Sequence, residues 1–237
     1  MIDIHSHILP GVDDGARDFD ESIEIAKWLA RQGVTDLIAT PHYIVESDFM
    51  SPRADNLKLL NELQHRLDAA GVKLRLYLGN EIYINKFIDR LVEAEEISPL
   101  ANSKYLLVEL PLHTEFSNYE GYLCDLNAKG YQVILAHPER YEIVQEDYQK
   151  ARDLYEDGIL LQCNLRSVVG HYGKEAERVV KRLARDKMIF TFGSDTHRVG
   201  SSYYLVQAQK KLTRYYNPRE LSILLSINMK KVLNSGF

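Results

Sequence analysis

The stretch IDIHSHILPGVDDG, residues 2–15, places two histidines at the end of a short apolar run. Side chains on a strand alternate between its two faces, so His5 and His7 point the same way. Two imidazoles side by side suit a metal ion. The same spacing also occurs on half-buried strands that bind nothing, so the rest of the chain has to decide whether residues 2–15 open a metal site.

The bulk composition predicts an ordinary globular protein, with 237 residues, 45% hydrophobic and 27% charged. The sequence lacks a Pro/Gly/Ser-rich linker, and we expect one domain over residues 1–237. No apolar run approaches the roughly 18–20 residues that span a bilayer, and no signal peptide is evident. Two cysteines, Cys124 and Cys163, fit a reducing compartment. We therefore expect a cytoplasmic protein that is not itself a membrane protein.

The formal net charge of −5 argues against binding to a nucleic-acid backbone, which needs a basic surface. A small anionic substrate remains compatible with this charge, because bound divalent ions change the local sign.

Short apolar runs alternate with longer helical patterns along the chain. The predicted strands are residues 1–5, 35–40, 74–78, 105–109, 132–136, 159–163 and 188–192. The predicted helices are residues 20–32, 53–70, 85–96, 119–128, 148–156 and 174–185, followed by two or three more after residue 202. Such alternation predicts parallel strands with crossover helices, in either a closed barrel or a doubly wound open sheet.

Six of the seven predicted strands end in a group that can bind a metal. In chain order these groups are His5 and His7, His42, Glu81, Glu109, His137, and Asp195 with His197, while Asp14 lies in the loop after the first strand. The carboxyl ends of barrel strands form one face, so these nine groups would converge on one pocket. Taken singly, each could instead be a turn residue, a solvated strand end or a helix cap. His65, His113 and His171 lie elsewhere in the pattern, and we expect them on the surface.

Five histidines and four carboxylates are too many ligands for one ion, so two or three ions fit better. Mixed imidazole and carboxylate ligands suit manganese, iron or zinc. Three divalent ions would contribute about +6 against four carboxylates, which makes the pocket attractive to phosphate. The ligand set thus favours metal-assisted hydrolysis of a phosphomonoester.

Taken together, the order of these residues resembles the polymerase-and-histidinol-phosphatase (PHP) phosphoesterases. Residues 2–15 resemble more closely the PHP-type tyrosine phosphatases of bacterial capsule and exopolysaccharide operons, and so do four later motifs. These motifs are residues 39–42 (ATPH), 79–83 (GNEIY), 136–141 (AHPERY) and 194–197 (SDTH). The resemblance runs from residue 2 to about residue 200.

The resemblance implies a distorted seven-stranded (β/α)7 TIM-like barrel of the PHP type, with three divalent ions, manganese first. One ion would take His5, His7, Glu81 and Asp195, and a second would share Glu81 and take Glu109 and His137. The third would take Asp14, His42 and His197. Arg140 matches the family's phosphate-binding arginine. The family's second arginine falls at Ser202, and Arg198 is the candidate substitute.

The resemblance also implies a phosphotyrosine protein substrate, a membrane-associated bacterial tyrosine kinase of capsule or exopolysaccharide synthesis. A cysteine mechanism is not expected, because neither cysteine has an arginine six residues on. Tyr43, Tyr83 and Tyr141 would either flank an aromatic leaving group or pack in the core. The alternatives are a PHP phosphatase of a small metabolite such as histidinol phosphate, a metal-dependent amidohydrolase, and a non-catalytic metal-binding module.

Overall fold

In the computed structural model, which describes residues 1–113, 119–200 and 204–235, nine strands form two sheets. The strands are β1 (Ile2–Asp3), β2 (Asp36–Ala39), β3 (His42–Tyr43), β4 (Arg75–Leu78), β5 (Glu81–Tyr83), β6 (Tyr105–Glu109), β7 (Gln132–Ala136), β8 (Leu160–Asn164) and β9 (Ile189–Gly193). One sheet has the order β1-β2-β4 and the other has the order β3-β5-β6-β7-β8-β9. Neighbouring strands are parallel throughout both sheets.

Helices make the crossovers between these parallel strands. They are α1 (Phe19–Arg31), α2 (Arg53–Ala69), α3 (Ile88–Glu93), α4 (Glu120–Ala128), α5 (Glu142–Glu146), α6 (Gln149–Glu156), α7 (Leu165–Val168), α8 (Gly173–Arg185), α9 (Tyr204–Leu212), α10 (Pro218–Ser222) and α11 (Asn228–Asn234). A π-helical turn, Ile223–Ile227, joins the last two. Helix α1 begins at Asp18, whose side chain accepts a hydrogen bond from the backbone N–H of Glu21, as an N-cap residue does.

All seven predicted strands are present, and their ends shift by no more than two residues. The predicted seven-stranded (β/α)7 barrel is not confirmed by the strand count, because β3 and β5 are additional short strands and the nine strands form sheets of three and six. Pro41 separates β2 from β3, since proline cannot donate to a ladder. A parallel bridge between Ser6 and Thr196 joins the segment that follows β1 to the segment that follows β9. The predicted helix over residues 85–96 is shorter than expected and covers only α3.

Successive strand residues pack into two separate apolar clusters, as period-two alternation requires. Leu106 and Val108 of β6 belong to the larger cluster under the helices, whereas Leu107 belongs to the smaller one. Met229 and Val232 of α11 complete the smaller cluster. Burying such a side chain contributes about 1.5–3 kcal/mol. The packing on both faces holds the strand ends at fixed positions.

Every helix in the described part of the chain is too short or too polar to cross a membrane.

Candidate metal centre

The structure brings all nine predicted ligands together at the carboxyl ends of the strands. His5 and His7 follow β1, Glu109 ends β6, His137 follows β7, and Asp195 and His197 follow β9. His42 and Glu81 lie just beyond the carboxyl ends of β2 and β4, where β3 and β5 begin. Asp14 reaches the same place from the loop before α1. Four groups of these side chains have ligand atoms within 4.8 Å of one another: His7, Asp14, His42 and His197; His5, His7 and Glu81; His5, His137 and Asp195; and His42, Glu81 and Glu109.

At the centre, four ligand atoms converge. The Nε2 atoms of His5 and His7 lie 3.3 Å apart. Glu81 Oε2 lies 3.1 Å from the first and 3.2 Å from the second. Asp195 Oδ1 lies 3.5 Å from both. All four side chains are buried.

The donor chemistry of this group fits a cation. The Nδ1 atoms face acceptors, Gln162 Oε1 at 2.8 Å from His5 and Asp13 Oδ2 at 2.7 Å from His7. A neutral imidazole has one N–H, and here the acceptors hold it on Nδ1. Both Nε2 lone pairs therefore point at each other and at two carboxylates. Such an all-acceptor arrangement is costly unless a proton or a metal ion is bound.

A second group lies on the β5–β7 side of the centre. His137 Nε2 is 3.0 Å from Glu81 Oε1 and 3.5 Å from Glu109 Oε1. Glu81 therefore faces both groups with different oxygens, as a bridging carboxylate would. This matches the expected sharing of Glu81 between two ions.

The third group is more open to solvent. His197 Nε2 lies 3.3 Å from Asp14 Oδ1, and His42 Nε2 lies 3.6 Å from the same oxygen. The ring of His7 stacks on that of His197, with centroids 3.9 Å apart. Asp14 is the most exposed of the predicted ligands in this group, at 56% of its side chain. The third group therefore forms the solvent-facing side of the centre.

The charges of the cluster shift the pKa values of its members. Burial alone would lower the pKa of His5, but Glu81 and Asp195 raise it to about 9. Burial and the charge of Glu81 raise the pKa of Glu109 to about 8. Burial would raise the pKa of Glu81, yet His5 and His42 hold it well below its usual range. Without metal, protons bound to His5 and Glu109 thus take the place that metal cations would have beside the carboxylates.

Two of the ligands adopt left-handed backbone conformations. The φ angle is 35° at His137 and 50° at Asp195. Non-glycine residues there pay about 1–2 kcal/mol, and such strain concentrates at functional sites. Two glycines make room for the histidines. A Cβ at Gly15 would lie 2.1 Å from the His7 carbonyl oxygen, and one at Gly193 would lie 2.8 Å from His5 Cβ.

Sequence reasoning missed the residues that hold the ligands in place. It left the sixth strand without a role, yet this strand, β8, carries Gln162 behind His5 and Asn164 behind Asp195. Asn164 donates from Nδ2 to Asp195 Oδ2 at 2.7 Å and accepts from Gln162 Nε2 at 2.9 Å. Asp13, which was not among the nine predicted ligands, accepts from His7 and from the backbone N–H of His42. The available signal was the pair of amides in an otherwise apolar run.

The two candidate arginines lie at different places. Arg140 follows His137 in a short 3₁₀ turn, and its guanidinium donates to Asp195 Oδ2 at 3.0 Å. Arg198 donates to the carbonyl oxygen of Gly15 and lies 3.4 Å from Glu21 Oε1, at the rim of the cluster. The family position of the second arginine, Ser202, lies outside the described residues.

The three tyrosines next to ligand positions separate into two kinds. Tyr43 and Tyr141 are buried, and their hydroxyls reach Glu96 and the Ala136 carbonyl, so they pack in the core. Tyr83 is only partly buried beside Glu109. The expected surface histidines, His65, His113 and His171, are all exposed.

The fold and the cluster together define an α/β protein with parallel sheets and a candidate polynuclear metal centre of histidines and carboxylates. A family model for CpsB/CapC, capsular polysaccharide synthesis, matches residues 1–234. The chain belongs to the CpsB/CapC family. It is similar to tyrosine-protein phosphatase YwqE of Bacillus subtilis, with 32% identity over 99% of this chain and 92% of YwqE. It is also 29% identical to tyrosine-protein phosphatase CpsB of Streptococcus pneumoniae, over 98% of both chains.

Solved structures agree with this assignment. One from a study of YwqE from Bacillus subtilis and CpsB from Streptococcus pneumoniae, described as metal-dependent tyrosine phosphatases, superposes with a TM-score of 0.91. It is 30% identical and covers 100% of this chain and 96% of that one. Histidinol phosphate phosphatase of Lactococcus lactis has a TM-score of 0.59 at 15% identity, over 90% and 92% of the two chains. At that identity the likeness concerns the fold alone.

Proposed function

We propose that this protein is a metal-dependent protein tyrosine phosphatase that removes phosphate from phosphotyrosine in capsule or exopolysaccharide synthesis. The observation that carries the proposal is the convergence of the side chains of His5, His7, Glu81 and Asp195, whose ligand atoms lie 3.1–3.5 Å from the two imidazole Nε2 atoms in a buried position. One solved structure from a study of YwqE and CpsB as metal-dependent tyrosine phosphatases shares the fold over the whole chain, which supports the proposal.

Three divalent ions are proposed for the three ligand groups, manganese first, with iron or zinc as alternatives. The first group is His5, His7, Glu81 and Asp195; the second is Glu81, Glu109 and His137; the third is Asp14, His42 and His197. Such ions, when bound, lower the pKa of a coordinated water and neutralise charge on phosphoryl oxygens. The overlap of Glu81 between two groups supports a polynuclear rather than a mononuclear centre.

The chain's own residues supply orientation and a cationic clamp. Gln162 and Asp13 fix the ring orientation of His5 and His7 through their Nδ1 atoms. Arg140, beside Asp195, is proposed to bind phosphoryl oxygens, because a guanidinium donates two parallel hydrogen bonds to an oxyanion. Arg198 is proposed as the second phosphate-binding arginine, at the rim of the same cluster. Tyr83, at the strand end beside Glu109, is positioned to flank an aromatic leaving group.

The finer points of architecture and context belong to the same proposal. Counting β2 with β3 and β4 with β5 leaves seven parallel segments, which supports an interrupted seven-stranded barrel over a single domain, residues 1–237. Hydrogen bonds from His7 N to the Thr196 carbonyl and from Asp195 N to the His5 carbonyl bring the first and last segments together. The substrate is proposed to be a membrane-associated tyrosine kinase, met in the cytoplasm.

The deciding experiment measures turnover by chelator-stripped protein resupplied with manganese, iron or zinc. A phosphotyrosine peptide and histidinol phosphate are compared side by side as substrates. We expect metal-dependent turnover and a kcat/KM at least about 100-fold higher for the peptide, since recognition of an extended substrate adds binding energy at the transition state. A preference for histidinol phosphate would assign the protein to metabolite phosphatases instead.

Ligand variants provide the second arm. His137→Ala and Asp195→Asn should abolish turnover while circular dichroism stays that of the wild type. His65→Ala is the matched control, because His65 is exposed on α2 away from the cluster. If both ligand variants kept wild-type activity, or if the wild type bound metal and hydrolysed neither substrate, the proposed catalytic role would be wrong.

A further inference from the structure

A cavity of about 410 Å³ opens next to the metal centre, beyond His197. Arg166, His171, Arg198, Tyr204 and Gln207 are among the residues that line it, and none of the described residues in the lining is acidic. The cavity is distinct from the nine-ligand cluster, because none of those ligands lines it. A basic concave surface at the edge of a candidate phosphatase site needs an anionic occupant.

Arg166 is the centre of this surface. It lies in the turn after β8, and among the described residues no carboxylate lies within ion-pairing distance of its guanidinium. Other arginines near the site, Arg140 and Arg198, do face acidic groups. The charge of Asp195 favours the charged form of Arg166 without a direct ion pair, and burial of a charge is costly unless it is paired.

Aromatic rings hold Arg166 rigidly instead. Its guanidinium carbon lies 4.7 Å from the ring centroid of Tyr204. The Tyr204 hydroxyl is in turn fixed by Thr196 Oγ1 at 2.9 Å and by the carbonyl of Ser194 at 3.2 Å. Arg166 also hydrogen-bonds to the Tyr204 side chain, and a guanidinium has five N–H groups, so others remain for a further acceptor. Arg166 is therefore preorganised for a carboxylate or phosphate.

A second stacked pair connects this pocket to the cluster. Arg140, which contacts Asp195, lies 4.5 Å over the ring of Tyr172. Burial raises the pKa of Tyr172, and the charge of Asp195 adds to this, while Arg140 and Arg166 both oppose it. The Tyr172 side chain is thus close to both guanidiniums. The positive charges of both arginines therefore act on the Tyr172 side chain.

We propose that the Arg166 pocket is a substrate subsite that binds a carboxylate side chain of the peptide, a few residues from the phosphotyrosine. The assignment rests on the proposed phosphatase function and specifies the sequence that the enzyme prefers. Consecutive residues of an extended peptide are about 3.3–3.6 Å apart, so a side chain two or three positions from the phosphotyrosine can reach beyond the cluster.

The test uses two phosphotyrosine peptides that differ only in charge. One carries Asp and the other Asn at the second and third positions on both sides of the phosphotyrosine. We expect the wild type to show a KM about tenfold lower for the Asp peptide, with similar kcat, and an advantage that shrinks with added salt. The KM ratio is the KM for the Asn peptide divided by the KM for the Asp peptide. In Arg166→Met this ratio should fall close to one.

Arg185→Met is the matched control, because Arg185 also lies over a tyrosine ring, that of Tyr215, at 5.8 Å. It should keep the wild-type ratio. A purely structural role of Arg166 would change KM for both peptides equally and leave the ratio intact. Gln207→Glu, an exposed change in the pocket lining, should lower the ratio without removing any packed group, which guards against misfolding of the Arg166 variant.

Fluorescence anisotropy of labelled versions of both peptides, bound to metal-loaded protein, gives the same comparison without turnover. Equal affinity of the wild type for the two peptides, or equal ratios in the Arg166 and Arg185 variants, would overturn the subsite. Absence of hydrolysis of either peptide would overturn the proposed function alone, because the anisotropy ratio still reports on the pocket.

Discussion

Gln162 Oε1, on β8, lies 2.8 Å from His5 Nδ1, and both residues are fully buried. The contact fixes which ring nitrogen of His5 carries the proton, and so turns the Nε2 lone pair toward Glu81 and Asp195. Gln162 is not itself a metal ligand, but it thus decides whether His5 can bind a cation.

Replacing Gln162 with Leu should therefore weaken metal binding. Loss of such an outer partner typically costs about 10–100-fold in metal affinity. We expect this change in a competition titration against a chelator, with the secondary structure retained. Gln162→Glu keeps an acceptor oxygen and should recover most of the affinity. Gln149→Leu, an exposed change on α6, serves as the control, and equal affinities of the Gln162→Leu and Gln149→Leu proteins would contradict the orienting role.

Gly15 allows the Asp13–Asp14 loop to pass beneath His7. A Cβ at this position would meet the His7 carbonyl at 2.1 Å and Asp13 Oδ1 at 2.8 Å, so Gly15→Ala has to displace the loop that carries Asp14. We expect a loss of about 1–3 kcal/mol in the free energy of unfolding and weaker metal binding. Chemical denaturation and metal analysis measure the two effects.

Gly121→Ala is the opposite case within the same chain. Apart from its chain neighbours and the backbone of its own helix, no atom of the described residues lies within 4 Å of a Cβ there, and Gly121 is in helix α4. This change should stabilise the protein by about 0.5–1 kcal/mol, because alanine is the better helix former. A Gly15→Ala protein as stable as the wild type would show that the loop adapts at no cost.

The nine ligands were predictable because few residue types bind metals and because strands end where apolar runs stop. His42 and His137, each next to a proline, could be found at such ends without a structure. Pro41 marks the break between β2 and β3, but the break between β4 and β5 could not be found, since it depends on how neighbouring strands pair. The roles of Gln162 and Asn164 were also not predicted, because two amide side chains on a buried strand can hydrogen-bond to each other as readily as they orient a ligand.

Metal-stripped protein should lose stability as the pH rises. His5 holds its proton to about pH 9 in the folded state, against 6.5 ordinarily. Glu109 holds its proton to about pH 8, against 4.5. Between the ordinary pKa and the raised pKa of each group, the folded state binds more protons than the unfolded state, so the free energy of unfolding falls with increasing pH. The contribution of Glu109 therefore falls between pH 4.5 and about pH 8, and that of His5 falls between pH 6.5 and about pH 9.

Metal-loaded protein should behave differently, because metal binding needs the deprotonated ligands. The Tm difference between loaded and stripped protein should widen by at least about 5 °C from pH 6 to pH 8.5. Differential scanning calorimetry with and without chelator measures it. The Glu109→Gln protein, which has no carboxyl to titrate there, should show a smaller change with pH when stripped. A Tm difference that narrows with pH would contradict the proton–metal competition.

Arg140 allows the clamp to be tested separately from the metal. It pairs with Asp195 Oδ2 at 3.0 Å and stacks on Tyr172, so its guanidinium is fixed beside the cluster. Removing one preorganised donor to a developing oxyanion costs about 100–1,000-fold in kcat. Arg140→Met should lose this much on p-nitrophenyl phosphate and on phosphotyrosine peptide alike, since both present the same phosphoryl group. Arg140→Lys should recover only part, because an ammonium cannot donate two parallel hydrogen bonds.

Arg152→Met removes a comparable pair with Asp186, at 2.9 Å on the surface, and should leave kcat unchanged. Metal content decides the interpretation: full occupancy with low kcat assigns Arg140 to the phosphoryl group, whereas lost metal would mean that Arg140 acts only by holding Asp195.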